Sequence, residues 1–153
     1  MSSKSITNFL QVSDEIASSG QPDEEDFRFI ASAGYKSVIN LAMPDSDNAI
    51  PEEGYIVTRL GMTYHHIPVP FEAPETSHLL QFFGLMEAVQ SKKVWVHCAL
   101  NYRASAFLYL YLQWKGMSEP EAQNALLKNW EPDAIWRTFM KQPIDEISLH
   151  DTQ

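Results

Sequence analysis

The chain has 153 residues, 44% hydrophobic and 20% charged, which suits one domain with a core of its own. Its net charge of −9 disfavours nucleic acid and anionic lipid as general partners, so an anionic substrate needs a local site. A single cysteine excludes an internal disulfide and a multi-cysteine metal cluster, and the five histidines form no helical pair at ligand spacing.

No metal and no cofactor is therefore expected. The start, MSSKSITNFLQVSDE, lacks the apolar core of a secretory signal, and no apolar run approaches the roughly 20 residues of a membrane span. The expected location is the cytoplasm, with no membrane partner and no nucleic acid.

In chain order, a short strand is expected over Glu15 to Ser18, ending in a Gly-Pro turn. DEEDFRFIASAG reads as a helix with Asp23 as its cap, a solvated acidic run to Asp26 at its positive end, and Gly34 closing it. A β-rich strand follows around Ser37 to Leu41, then the loop PDSDN. IPEEGYIVTRLG suits a second helix stopping at Gly61, and TYHHIPVP a third strand with His65 and His66 on opposite faces. PETSHLLQFFGLMEAVQ has helical apolar spacing, with Thr76 or Ser77 as cap.

KKVWVHC is a continuous apolar strand of the kind found at a sheet centre. ASAFLYLYLQWKG is apolar nearly all round, so Phe107, Tyr109, Tyr111 and Trp114 are expected in the core. SEPEAQNALLKNW and PDAIWRTFM read as two further helices split by Pro132, with Trp130 and Trp136 packing beside the break. Strands alternate with helices, which predicts a single-domain, three-layer α/β fold. Its mostly parallel central sheet has about four to five strands, with helices on both faces. The domain is expected over residues 1–141, and residues 142–153 form a polar tail.

In such folds ligands bind beyond the C-terminal ends of the strands, which is where Cys98 falls. Backbone N–H groups of Ala99, Leu100, Asn101 and Tyr102 can converge there on one anion, and the following helix adds favourable potential. Arg103 supplies a permanently charged planar fork for two anion oxygens. The same positive field favours a thiolate, and a thiolate beneath a bound oxyanion can attack phosphorus or sulfur. A lone cysteine after an apolar strand is otherwise an inert buried thiol; Arg103, the strand–loop–helix setting and His97 reverse that reading. His97 is expected to bond to backbone around the loop.

VHC…R followed by a helix resembles the signature of cysteine-dependent protein tyrosine and dual-specificity phosphatases. IASSGQPDEEDFRFIASAGYKSVINL and GMTYHHIPVP are similar to small bacterial phosphatase-like proteins of that superfamily, so the resemblance covers roughly residues 12 to 117. It implies a tyrosine-phosphatase-like fold, a phosphocysteine on Cys98, an oxyanion clamp at Arg103, and a phosphate-ester substrate, either a protein phosphoresidue or a small molecule. A hydroxyl just after the arginine assists the departing thiolate in the family. Ser105 is the candidate here, two positions on instead of one.

Three features depart from the family pattern. Four residues, ALNY, separate Cys98 from Arg103 where the family has five, and four is the spacing of rhodanese-type sulfur carriers. The loop glycine is missing, with Asn101 near its place, and Asn tolerates positive φ. Tyr102 is bulky for an anion loop and is expected either to line the pocket mouth or to pack on the protein. A leaving oxygen needs a proton, usually from a loop carboxylic acid. The expected Asp is replaced by Val69, Pro70 and Phe71, which leaves Glu72 as first candidate and Asp45 as second, with Asp47 and Glu75 nearby. Three readings follow: a phosphomonoesterase, a persulfide-carrying sulfurtransferase, and a non-catalytic phosphate-binding module.

Overall fold

A computed structural model describes residues 5–149. Five strands form one sheet: β1 (Leu10–Gln11), β2 (Ile16–Ser19), β3 (Ser37–Asn40), β4 (Thr63–His66) and β5 (Val94–His97). Their spatial order is β1-β2-β5-β3-β4, with β1 antiparallel to β2 and all other pairs parallel. β5 is therefore central, and all four of its residues are buried. Its last residue, His97, is in register with Ser19 of β2 and Asn40 of β3.

Alternation along the strands sorts side chains into two cores, one on each face. Val94 and Val96 face the larger core, and Trp95 faces the smaller. Helices α1 (Glu24–Ser32) and α2 (Glu53–Arg59) cover the smaller core through Phe27, Ile30 and Val57. Helices α3 (Thr76–Val89), α4 (Tyr102–Trp114), α5 (Glu119–Ala122) and α6 (Ala134–Phe139) cover the larger. This is the three-layer arrangement the strand–helix alternation predicts. α4 is central to it, burying every residue from Arg103 to Tyr111. Each fully buried Phe or Leu there contributes about 1.5–3 kcal/mol.

Local chemistry explains the element ends. Asp23 accepts from the Asp26 amide at 2.8 Å and Asp26 accepts from the Asp23 amide at 2.9 Å, a reciprocal cap. Asp26 is thus buried, which corrects the reading of the whole acidic run as solvated. Gly34 takes φ +96, a left-handed value that closes α1 without a Cβ penalty. The cap of α3 falls before the expected Thr76 or Ser77: Glu75 is the N-cap, and its amide donates to His78 Nδ1 at 3.0 Å. His65 is half-buried and His66 exposed on the edge strand β4.

The helix expected after Ser118 is short. α5 passes into a 3-10 turn, Gln123–Ala125, and Leu126 turns extended at ψ 142, after which Leu127 is buried. The segment read as a polar tail also meets the core: Ile144 is buried, and Trp114 Nε1 donates to the Ile147 carbonyl at 3.0 Å. Among the described residues no helix is long and apolar enough to cross a membrane.

Candidate active site

Cys98 directly follows β5 and lies fully buried at the floor of a cleft of about 200 Å³. Phe71, Ala99, Leu100, Tyr102 and Arg103 complete its lining. A larger hollow of about 330 Å³ between α1 and α2 holds no thiol, and its arginines are engaged: Arg28 with Glu24 and Arg59 with the Tyr55 hydroxyl.

The loop after Cys98 is held by its carbonyls. Ala99 O accepts from the Gln21 amide at 3.0 Å and from Asn48 Nδ2 at 3.1 Å. Leu100 O accepts from Asn8 Nδ2 at 2.9 Å, and Asn101 O from the Ser105 amide at 3.1 Å. Among the described residues, the amides of Ala99, Leu100 and Asn101 meet no protein acceptor. The first amides of α4 are free of intrahelical partners by construction. Fixing the carbonyls in this way leaves a run of N–H groups free to bind one anion.

Asn101 makes the turn with φ +71, the left-handed value its residue type tolerates. Its Nδ2 donates to the Asn8 carbonyl at 2.8 Å and to Ser18 Oγ at 3.1 Å, locking the conformation from the neighbouring strand. Gly20 makes room for the loop, because a Cβ there would stand 2.6 Å from Ala99 O.

Arg103 is 6% exposed and donates from Nη1 to the Val69 carbonyl at 2.8 Å. Its Nε is buried with no protein partner. A buried guanidinium N–H without an acceptor is costly, and an anion in the cleft would satisfy it. The Phe71 ring lies 5.7 Å from the guanidinium carbon, and Trp136 Nε1 pins the Phe71 carbonyl at 2.8 Å. Tyr102 both lines the cleft and packs, stacking on Trp130 at 4.9 Å with the rings 1° from parallel. Trp130 thus packs as expected, and its position beside the cleft is additional.

His97 donates to backbone at the loop, as expected: Nδ1 is 3.1 Å from the Cys98 carbonyl. Its other nitrogen, Nε2, is 2.5 Å from Glu53 Oε2, a buried partner that sequence reasoning missed. The remaining candidates do not line the cleft that holds Cys98. Glu72 is exposed in the turn after Phe71, Asp45 is exposed in the loop after β3, and neither lines the cleft. Ser105 is buried, with its hydroxyl donating to the Tyr102 carbonyl at 3.1 Å, and it does not line the cleft either. Among the described residues no group of three or more His, Cys, Asp or Glu side chains could hold a metal ion.

A strand-end cysteine, an amide-rich loop and an arginine at the start of the buried central helix define the superfamily of cysteine-dependent protein tyrosine and dual-specificity phosphatases. Within it, a family model described as DSP-PTPase phosphatase fused to NAD+ kinase matches residues 2–142, and the chain belongs to that family. A DUF442 protein from Shewanella putrefaciens CN-32, provisionally named a phosphatase, has a similar structure. It is 35% identical, with a TM-score of 0.80 over 90% of this chain and 91% of that one. Tk-PTP in its active form shares the fold at TM-score 0.74 and 20% identity, over 92% and 98% of the two chains. The core catalytic domain of the PP-IP phosphatase SIW14 from S. cerevisiae does so at 0.72 and 16%, over 92% and 88%. A curated relative from Xylella fastidiosa, named beta-lactamase hydrolase-like protein, is 31% identical over 98 residues. That match takes 62% of this chain and spans 22% of the relative's length.

Proposed function

We propose that the protein hydrolyses phosphomonoesters through a phosphocysteine on Cys98. The observation that carries this reading is the buried, unpartnered Nε of Arg103 beside Cys98, in a loop whose carbonyls are tied elsewhere. The amides of residues 99–102 and the Arg103 fork receive the phosphoryl oxygens. The Cys98 thiolate attacks phosphorus, an S–P bond forms, and the bond from phosphorus to the leaving oxygen breaks. Water then attacks the phosphocysteine, which releases phosphate and restores the thiolate.

The leaving oxygen takes a proton from a carboxylic acid. Glu72 is the first choice, since it adjoins Phe71 on the cleft wall, and Asp45 is the second. The substrate is a protein phosphoresidue or a small phosphate ester with an apolar or aromatic group that fits beside Phe71 and Tyr102. An aryl phosphate assay tests the reading. Wild type turns over and is inhibited by vanadate, and Cys98→Ser does neither; equal rates in the two proteins contradict it. The four-residue spacing between Cys98 and Arg103 keeps a sulfurtransferase as second reading, and cyanide-dependent thiocyanate formation from thiosulfate distinguishes it.

A further inference from the structure

Glu53 opens α2, on the opposite side of the sheet from α4, yet its side chain is only 4% exposed. Both of its oxygens are engaged: Oε1 accepts from Gln21 Nε2 at 2.7 Å, and Oε2 faces His97 Nε2 at 2.5 Å. His97 is wholly buried, and its Nδ1 faces the Cys98 carbonyl at 3.1 Å. A carbonyl only accepts, so Nδ1 carries a proton. A carboxylate oxygen and a ring nitrogen at 2.5 Å hold a second proton between them. The imidazole is therefore flanked by two acceptors, one a buried carboxylate and the other the peptide of the candidate nucleophile.

A second donor also faces Glu53. Gln21 donates to it from the loop after β2. On β4, burial and, after it, the Glu53 charge push the Tyr64 phenol up to about 12, so Tyr64 stays neutral beside the pair. From α1 the Phe27 ring meets His97 edge-on at 6.1 Å. Asn40 of β3 is occupied by the Tyr64 hydroxyl and the Ala42 amide. Among the described residues, no titratable side chain other than Tyr64 is recorded in interaction with the pair.

We propose that Glu53 is a positioning residue for Cys98: it shares a proton with His97, keeps the imidazole donating to the Cys98 carbonyl, and so maintains positive charge behind the thiolate. This rests on Cys98 being the nucleophile but not on what it attacks. The Glu53→Gln variant retains size and hydrogen bonding to the ring and removes the charge.

The test is the rate of Cys98 alkylation by iodoacetamide as a function of pH, read beside the pH profile of aryl phosphate hydrolysis. In Glu53→Gln the acidic limb of alkylation moves to higher pH. The rate falls about tenfold below the limb and meets wild type above it, in a variant that a cooperative melting transition shows to be folded. The kcat/KM limb moves with it. Coincident alkylation profiles for the two proteins overturn the inference, even if hydrolysis is observed. An alkylation shift without any hydrolysis upholds it and removes the phosphatase reading. If Glu53→Gln does not fold, the 15N shifts of His97 in wild type decide: two protonated ring nitrogens support the pair, and a neutral tautomer overturns it.

Discussion

Arg103 Nη1 donates to the Val69 carbonyl at 2.8 Å, which ties the first turn of α4 to the segment that follows β4. The bond fixes the plane of the guanidinium, whose Nε is buried without a protein partner. Backbone thus sets the orientation of the fork, and in the proposed reaction such preorganisation is what would make Arg103 an effective clamp.

Arg103→Lys tests the fork. Lysine has a point charge and cannot satisfy the Val69 carbonyl while also presenting two parallel donors. Aryl phosphate kcat/KM falls by about 10²-fold or more, and vanadate binding weakens in parallel. Retention of more than half the wild-type value would show that the planar fork is not needed.

Gly20→Ala probes the carbonyl anchoring of the loop. The added Cβ would meet Ala99 O at 2.6 Å, so the loop or β2 must shift. Overpacking of this kind costs about 1–3 kcal/mol, seen as a lower denaturation midpoint. Oxyanion affinity drops as well, because Ala99 leads the run of free amides. An unchanged vanadate affinity in the folded variant contradicts this account of the loop.

Glu72→Gln separates proton donation from nucleophilic attack. If Glu72 protonates the leaving oxygen, hydrolysis of phenyl phosphate falls by about 10²-fold, because phenoxide leaves poorly without a proton. An activated nitrophenyl ester falls far less. Equal effects on both substrates exclude Glu72, and the same pair of substrates then examines Asp45→Asn.

Trp130→Ala removes the ring on which Tyr102 stacks. Such pairs contribute about 0.5–1.5 kcal/mol beyond area burial, so KM for aryl phosphates rises a few-fold as Tyr102 loosens. A KM identical to wild type separates the stack from substrate binding.

Glu87 provides a pH-dependent stability test away from the cleft. Burial alone would raise its carboxyl, but the Tyr111 hydroxyl at 2.7 Å and the Lys115 ammonium outweigh it and hold it below the ordinary carboxylate value. A depressed folded value means stability that is present above the unfolded pKa and is lost as pH falls through the folded one. The melting temperature of Glu87→Gln therefore lies below wild type near neutrality, and the gap closes on acidification. A gap that widens in acid contradicts the sign.

The layered fold and the cysteine loop were legible because the signals are local. An apolar run, a strand-end thiol and an arginine at the helix start lie within eleven residues of each other, from Lys93 to Arg103. Asn101 could be read because positive φ is a property of the residue type. Strand β1 could not, since two residues paired antiparallel to β2 leave no periodicity. Glu53 was hidden by its setting in IPEEGYIV, where it looks like an acidic helix start; its partner lies 44 residues away. The shortness of α5 is not legible, because helical spacing says nothing of the extended backbone at Leu126, after which Leu127 is buried.

In the proposed reaction Cys98 carries the phosphoryl group during turnover. Rapid acid quench of the protein with an aryl phosphate, followed by mass spectrometry of its peptides, tests it most directly. A phosphoryl adduct on the Cys98 peptide that appears and decays with turnover, and is absent in Cys98→Ser, is the predicted result. Steady hydrolysis with no adduct on Cys98, or with full activity in Cys98→Ser, contradicts it.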